Sequence, residues 1–123
     1  MLIPELSKIG KRYPQIDVAL LAINGLRIRP AGNRKVVMDA KEAAELCRTL
    51  QPRYAIPTHY AFTGGRIMDT LFLGYAGSPS ELTKEFQQTT ALLSPKTSVR
   101  VLSPGEPLAI QIDKRAHSAA SGN

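Results

Sequence analysis

The sequence has one cysteine, no tryptophan and no long hydrophobic run. The single cysteine, Cys47, excludes an internal disulfide and any C-x-x-C metal or redox site. No apolar stretch approaches the roughly 20 residues that a membrane-spanning helix needs. The first residues show no basic region leading into an apolar stretch, so we expect no secretory signal. A reducing cytoplasm is therefore the expected location.

Familiar catalytic signatures are also missing. The sequence contains no G-x-x-x-x-G-K-[ST], G-x-G-x-x-G, H-E-x-x-H or G-x-S-x-G motif. Of its two histidines, His117 lies in a polar tail, which leaves His59 as the main candidate. Cys47 is centred on the apolar stripe of a predicted helix, where a packed core residue is the expected role. The catalytic residues stay unknown at this stage.

Acidic residues are few. The 123 residues carry 16 Lys+Arg against 10 Asp+Glu, a net charge of +6, and the excess is concentrated in residues 1–53. Such a basic region can be a solvated surface that maintains solubility, or it can meet an anionic partner. A nucleic-acid partner is not favoured, because only 6% of the residues are aromatic and no RNA-binding signature is present.

Hydrophobic patterning predicts an α/β chain with the element order α-β-α-β-α-β-β. The length suits one domain, predicted over residues 1–112, with a disordered tail over 113–123. The continuous apolar run at 17–23 predicts a strand buried on both faces of a parallel sheet. Residues 61–77 are predicted to form a loop whose apolar side chains pack onto another part of the structure. Helices are predicted from Pro4, after an Asp39 cap and after a Ser78 cap, and further strands at 54–60, 98–103 and 107–112.

Candidate chemistry collects at one edge of this sheet. His59 stands at the carboxyl end of the second strand, and ligands of open α/β sheets bind at that edge. A lone histidine is commonly a hydrogen-bonded structural residue, and one ligand does not make a zinc site. The basic loop with Arg27, Arg29, Arg34 and Lys35 follows the first strand and would rise at the same edge. Its charge suits an anionic or phosphorylated substrate.

Four ordered segments carry a family resemblance: D-V-A-L-L-A-I-N-G at 17–25, M-D-A-K-E-A-A-E-L at 38–46, I-P-T-H-Y at 56–60 and V-L-S-P-G-E at 101–106. Over roughly residues 1–112, the chain resembles the carboxyl-terminal part of metallo-β-lactamase-fold hydrolases. The resemblance is to the branch that contains the ascorbate-6-phosphate lactonase-like proteins. It implies a fold that is half of an αββα sandwich, which would leave one apolar face of the sheet uncovered.

The resemblance also implies a site. His59 matches the last metal-ligand histidine of the family, and Asn24-Gly25 matches the turn after the preceding strand. We predict His59 as a metal ligand and Asn24, Arg27 and Arg29 as substrate-binding residues. The family's H-x-H-x-D-H motif, its further histidine and its bridging aspartate lie upstream of the matched region and do not occur in this sequence. The family implies a divalent metal, zinc or manganese, but one ligand is not expected to hold it tightly.

The leading functional hypothesis is a truncated metal-dependent hydrolase, inactive alone, whose intact parent acts on lactones or phosphoesters with an anionic small-molecule substrate. The alternative is a non-catalytic interaction module that uses the exposed sheet, and a basic nucleic-acid-binding domain is less favoured. Expected partners are a second copy or a complementing chain covering the open sheet, and no membrane. A gene fragment, a mis-set start and a standalone module are not distinguished by the sequence.

Overall fold

The computed structural model describes residues 4–60 and 64–111. Three parallel strands, β1 (Val18–Ala22), β4 (Tyr54–Thr58) and β6 (Ser98–Val99), form the main sheet in the order β1-β4-β6. The short strands β2 (Arg27–Ile28), β3 (Arg34–Lys35) and β5 (Leu73–Gly74) form an antiparallel sheet in the order β3-β2-β5. The α/β class predicted from the sequence is confirmed. The elements are α1 Pro4–Arg12, β1 Val18–Ala22, β2 Arg27–Ile28, a 3₁₀ turn at Arg29–Ala31, β3 Arg34–Lys35, α2 Ala40–Leu50, β4 Tyr54–Thr58, α3 Arg66–Leu71, β5 Leu73–Gly74, α4 Pro79–Leu93 and β6 Ser98–Val99.

Local signals set the starts of the two long helices. The Asp39 side chain accepts a hydrogen bond from the backbone N–H of Glu42 at 2.9 Å, which caps α2. Ser78 and Glu81 form a reciprocal capping box at the start of α4, with Pro79 at the first helical position. Both starts agree with the sequence prediction, because capping depends on residues only three positions apart.

The main sheet is buried on one face. In β1, Ala19 and Leu21 are buried, whereas the intervening Leu20 is 67% exposed. Helices α2 and α4 cover the inner face and contribute fully buried side chains such as Cys47 and Phe86. The prediction that this strand is buried on both faces is wrong, because no described element covers the side that Leu20 occupies.

Cys47 lies in this core, as predicted, with none of its surface exposed. Burial raises the pKa of its thiol to about 11, because an apolar environment disfavours the thiolate; the neighbouring Thr90 hydroxyl lowers that pKa by less. The thiolate is the reactive form of cysteine, so this residue serves packing rather than catalysis.

The later part of the chain departs from the predicted order. Only Ser98–Val99 forms a strand within 98–103, and residues 107–111 form none. Side chains hold this segment instead: the Tyr60 hydroxyl donates to the Leu102 carbonyl at 2.7 Å and Arg53 donates to the Gln111 carbonyl at 2.6 Å. Residue 112 and the predicted tail at 113–123 lie outside the described residues.

Two segments predicted as loops contain short elements. Residues 25–38 include β2, the 3₁₀ turn and β3, and residues 64–77 include α3 and β5. Strands of two residues leave no periodicity in a sequence, which is why the pattern did not show them. The first residues of the predicted 61–77 loop, 61–63, lie outside the described part of the chain.

Candidate functional site at the carboxyl edge of the sheet

Parallel pairing of β1 with β4 brings their carboxyl ends together. Ala22 is in register with Thr58, and the backbone N–H of Ile23 donates to the Thr58 carbonyl at 3.2 Å. Asn24 and His59 therefore follow neighbouring strands at the same edge of the sheet. The predicted parallel arrangement is confirmed, and it places the candidate histidine where α/β sheets bind ligands.

His59 has an unusual backbone conformation. Its φ of +61° lies in the left-handed region, which a non-glycine residue adopts at a cost of about 1–2 kcal/mol. Its side chain is exposed to solvent. Strained backbone of this kind concentrates at functional sites, where the surrounding structure holds it in place. The structure thus fixes an accessible imidazole directly after a half-buried strand.

A cleft of about 360 Å³ opens beside this imidazole. The hydrogen bond from Tyr60 to the Leu102 carbonyl holds the segment after β6 against the end of β4. Tyr60, Leu102 and Pro104 were not predicted as site residues, although two of the four resemblance motifs contain them. The residues lining the cleft are Ile56, Pro57, Thr58, His59, Tyr60, Leu102 and Pro104.

Asn24 organises the turn at the end of β1. It is 2% exposed, and its side-chain Oδ1 accepts a hydrogen bond from the Leu26 N–H at 3.2 Å. The next residue, Gly25, has a φ of +58°, and a Cβ there would lie 2.8 Å from the Cβ of Ala76, so the turn requires glycine. The side chain of Asn24 is not among those lining the cleft at His59, and its predicted role in substrate binding stays a prediction.

Of the two predicted arginines, Arg27 lies in strand β2 of the small antiparallel sheet and Arg29 in the 3₁₀ turn between β2 and β3. Arg27 donates from Nη1 to the Asn33 carbonyl at 3.3 Å, and Arg29 donates from Nη1 to the Thr70 carbonyl. Both side chains are exposed, and neither lines the cleft at His59. In the structure Arg27 contacts its own loop and Arg29 contacts helix α3, and their binding of a substrate stays a prediction.

The described residues do not by themselves fit a divalent metal. Within 4–60 and 64–111, no group of three or more His, Cys, Asp or Glu side chains is placed to hold a metal ion. Zinc in proteins takes three or four protein ligands. His59 can supply one of them, so a metal at this edge requires ligands from beyond the described residues.

Comparison with known proteins identifies relatives that are much longer than this chain, and no family model matches it. It is 31% identical over 105 residues to a UPF0173 metal-dependent hydrolase of Anaeromyxobacter sp. (strain K), covering 85% of this chain and 29% of that protein. It is 32% identical over 102 residues to a UPF0173 metal-dependent hydrolase of Staphylothermus marinus, covering 83% of this chain and 34% of that protein. The chain thus spans about a third of the length of these relatives.

A solved structure shares the fold. Igni18, a metallo hydrolase from the hyperthermophilic archaeon Ignicoccus hospitalis, superimposes with a TM-score of 0.59 and 25% sequence identity, over 91% of this chain and 38% of that one. These comparisons support the metallo-β-lactamase-like fold and the resemblance to metal-dependent hydrolases. Separately, no helix in the described residues is both long enough and apolar enough to cross a membrane.

The strain at His59 has a measurable consequence. We expect His59→Gly to be more stable than His59→Ala by about 1 kcal/mol, because both lose the imidazole and only glycine adopts a positive φ freely. Urea denaturation of the two variants measures the difference. At the neighbouring Thr58, whose backbone is extended, the order should reverse, and Thr58→Ala should be more stable than Thr58→Gly. Equal stabilities at position 59 would show that this backbone is not strained in solution.

Proposed function

We propose that this chain forms one part of a metal-dependent hydrolase, in which His59 is one ligand of a divalent cation, zinc or manganese. Polypeptide outside the chain supplies the other ligands. The observation that carries the proposal is the exposed imidazole of His59 at the carboxyl edge of a parallel sheet, on a backbone with a φ of +61°. The similarity to curated metal-dependent hydrolases over 85% of the chain supports it.

The proposed substrate is an anionic small molecule with a lactone or phosphoester bond. The resemblance to the ascorbate-6-phosphate lactonase-like branch supports this bond type. The charge of residues 25–38 supports the anionic character, because this segment contains Arg27, Arg29, Arg34 and Lys35 and no acidic residue. A guanidinium group pairs with a phosphate or carboxylate in bidentate fashion, which orients the substrate as well as attracting it.

The uncovered face of the main sheet supports the need for additional polypeptide. Val18 is 36% and Leu20 67% exposed on this face. Leaving apolar area in water costs about 25 cal/mol per Å². We propose that the polypeptide supplying the missing ligands also covers this face. The same face favours the second candidate function, a cytoplasmic interaction module that binds a partner chain, or a second copy, without catalysis.

A chimera tests the proposal. The matched segment of the Anaeromyxobacter sp. hydrolase is replaced by the corresponding residues of this chain, and metal content and hydrolysis of lactones and phosphodiesters are compared with those of the unmodified relative. We expect the chimera to retain metal and turnover. His59→Ala in the chimera should lower turnover by about 100-fold or more, since even residues that only support a metal ligand contribute 10–100-fold. Lys84→Gln, an exposed change on α4, is the matched control.

Two results would contradict the proposal. Full metal content and turnover in the His59→Ala chimera would show that His59 is not a ligand. A folded chimera that contains no metal and has no turnover, while the relative has both, would favour the interaction module. Circular dichroism of each chimera establishes that it is folded.

A further inference from the structure

Helix α3 presents its apolar side to solvent. Ile67, Met68, Leu71 and Phe72 are 71%, 44%, 60% and 41% exposed. Ile67 and Leu71 are four residues apart and Met68 and Leu71 three, so they share one side of the helix, and Phe72 follows directly at its end; these four side chains are called here the α3 stripe. Scattered exposed apolar residues are normal, but a contiguous patch marks an interaction surface.

Polar contacts tie the same helix to the chain on either side of it and to the loop that carries Arg29. The Asp69 carboxylate accepts hydrogen bonds from the Gly64 N–H at 3.0 Å and from the Tyr75 hydroxyl at 2.6 Å. The Thr70 carbonyl accepts one from Arg29. A surface helix of a globular protein ordinarily buries its apolar side and exposes its polar side. In α3 no residue is buried, and the apolar side chains stay exposed.

The segment of the stripe and the loop that pairs with it are rich in positive charge. Residues 25–38 and 64–77 contain five basic residues and one acid, Asp69. Lys35 is ion-paired with Asp39 and Glu42. Arg66 begins α3, and Arg29 reaches the carbonyl of Thr70 near its end. Apart from Lys35, the basic side chains of these two segments are all exposed: Arg27, Arg29, Arg34 and Arg66.

We propose that the α3 stripe and its arginines bind the surface of an anionic phospholipid bilayer. Apolar side chains on one side with cations beside them are typical of helices that lie in the membrane interface. Each arginine near an anionic leaflet contributes about 1 kcal/mol of attraction. The expectation of no membrane partner came from the lack of a spanning run, and binding at the surface needs no span. This proposal uses arginines that the proposed function assigns to an anionic substrate, but its test requires no hydrolysis.

Vesicle sedimentation with the full chain tests the charge component. The chain should bind vesicles made of equal parts phosphatidylcholine and phosphatidylglycerol, and should not bind pure phosphatidylcholine. Arg34→Gln and Arg66→Gln should each weaken binding about fivefold, and Lys84→Gln on α4 should not. Raising the salt from about 0.1 M to about 1 M, which shortens the screening length from about 10 Å to about 3 Å, should also weaken it.

Fluorescence tests whether the stripe itself enters the interface. Because the sequence has no tryptophan, one introduced tryptophan reports a single position. The emission of Leu71→Trp should shift to the blue on adding the anionic vesicles. Leu92→Trp is the matched control, since Leu92 is an 83% exposed apolar residue on α4, and its emission should not change.

Removal of one stripe side chain should reduce binding. We expect Leu71→Ser to weaken it at least about fivefold, with no effect of Leu92→Ser or Leu20→Ser. Equal loss with Leu20→Ser would assign the binding to the open sheet and overturn the proposal. So would a folded chain that does not bind the anionic vesicles. Light scattering in which Leu71→Ser converts a dimer to a monomer without lipid would assign the stripe to a second copy.

Discussion

The isolated 123-residue chain, supplied with Zn²⁺ or Mn²⁺, should hydrolyse neither lactones nor phosphodiesters. The reason is the ligand set: residues 4–60 and 64–111 bring no three metal-ligating side chains together, so His59 is not part of a complete ligand set within them. A single imidazole binds a divalent cation weakly and imposes no catalytic geometry. Turnover assays measure the hydrolysis, and equilibrium dialysis measures the affinity for the metal. The chain and its His59→Ala variant should give the same turnover, that of buffer with metal alone.

Metal-dependent turnover that disappears in His59→Ala would contradict this prediction. It would mean that other copies of the chain complete the ligand set to which His59 contributes. Measuring turnover over a range of protein concentrations separates this case, since a site shared between copies loses activity on dilution.

The second large effect concerns two adjacent leucines of β1. Leu21→Ala should lower the free energy of unfolding by about 3 kcal/mol, because Leu21 is 5% exposed and its removal leaves a cavity under α2 and α4. Leu20→Ala should change it by no more than about 0.5 kcal/mol, because Leu20 is 67% exposed. Urea denaturation with equal m-values for all three proteins is the measurement.

Comparable losses at both leucines would show that the outer face of the sheet is covered in solution. If a second copy covers it, the stability of the unaltered chain should rise with protein concentration, because association stabilises the folded state by mass action. The loss at Leu20 should then shrink on dilution, whereas the loss at Leu21 should not.

The same two leucines show how far sequence reasoning extends. The apolar run at 17–23 identifies a strand, and the structure contains it as Val18–Ala22. Nothing in the residue types distinguishes Leu20 from Leu21, since both are equally apolar. Which of them is buried depends on the helices that pack against one side of the sheet. Burial on both faces was therefore the wrong inference from a correctly located strand.

At the candidate site, too, the sequence predicted where residues lie but not their conformation or contacts. The order of elements predicted that His59 lies at the same sheet edge as the end of β1, because the carboxyl ends of neighbouring parallel strands meet there. Its left-handed backbone did not, since a positive φ in a histidine has no sequence signature. Asn24 was predicted to bind substrate from its place at the sheet edge and from the match of Asn24-Gly25 to the family's turn. In the structure its amide oxygen accepts a hydrogen bond from Leu26, a common local use of asparagine in turns.

Because Cys47 is buried, the rate at which its thiol is labelled can report opening of the core. Cys47 is the single thiol of the chain, it has no exposed surface, and its pKa is raised to about 11. A thiol reagent therefore modifies it only during the moments when α2 separates from its neighbours. The labelling rate reports how often the core opens under native conditions, without denaturant. Any ligand or partner that holds the helical layer closed lengthens the interval between these openings, and the delay measures the strength of that hold.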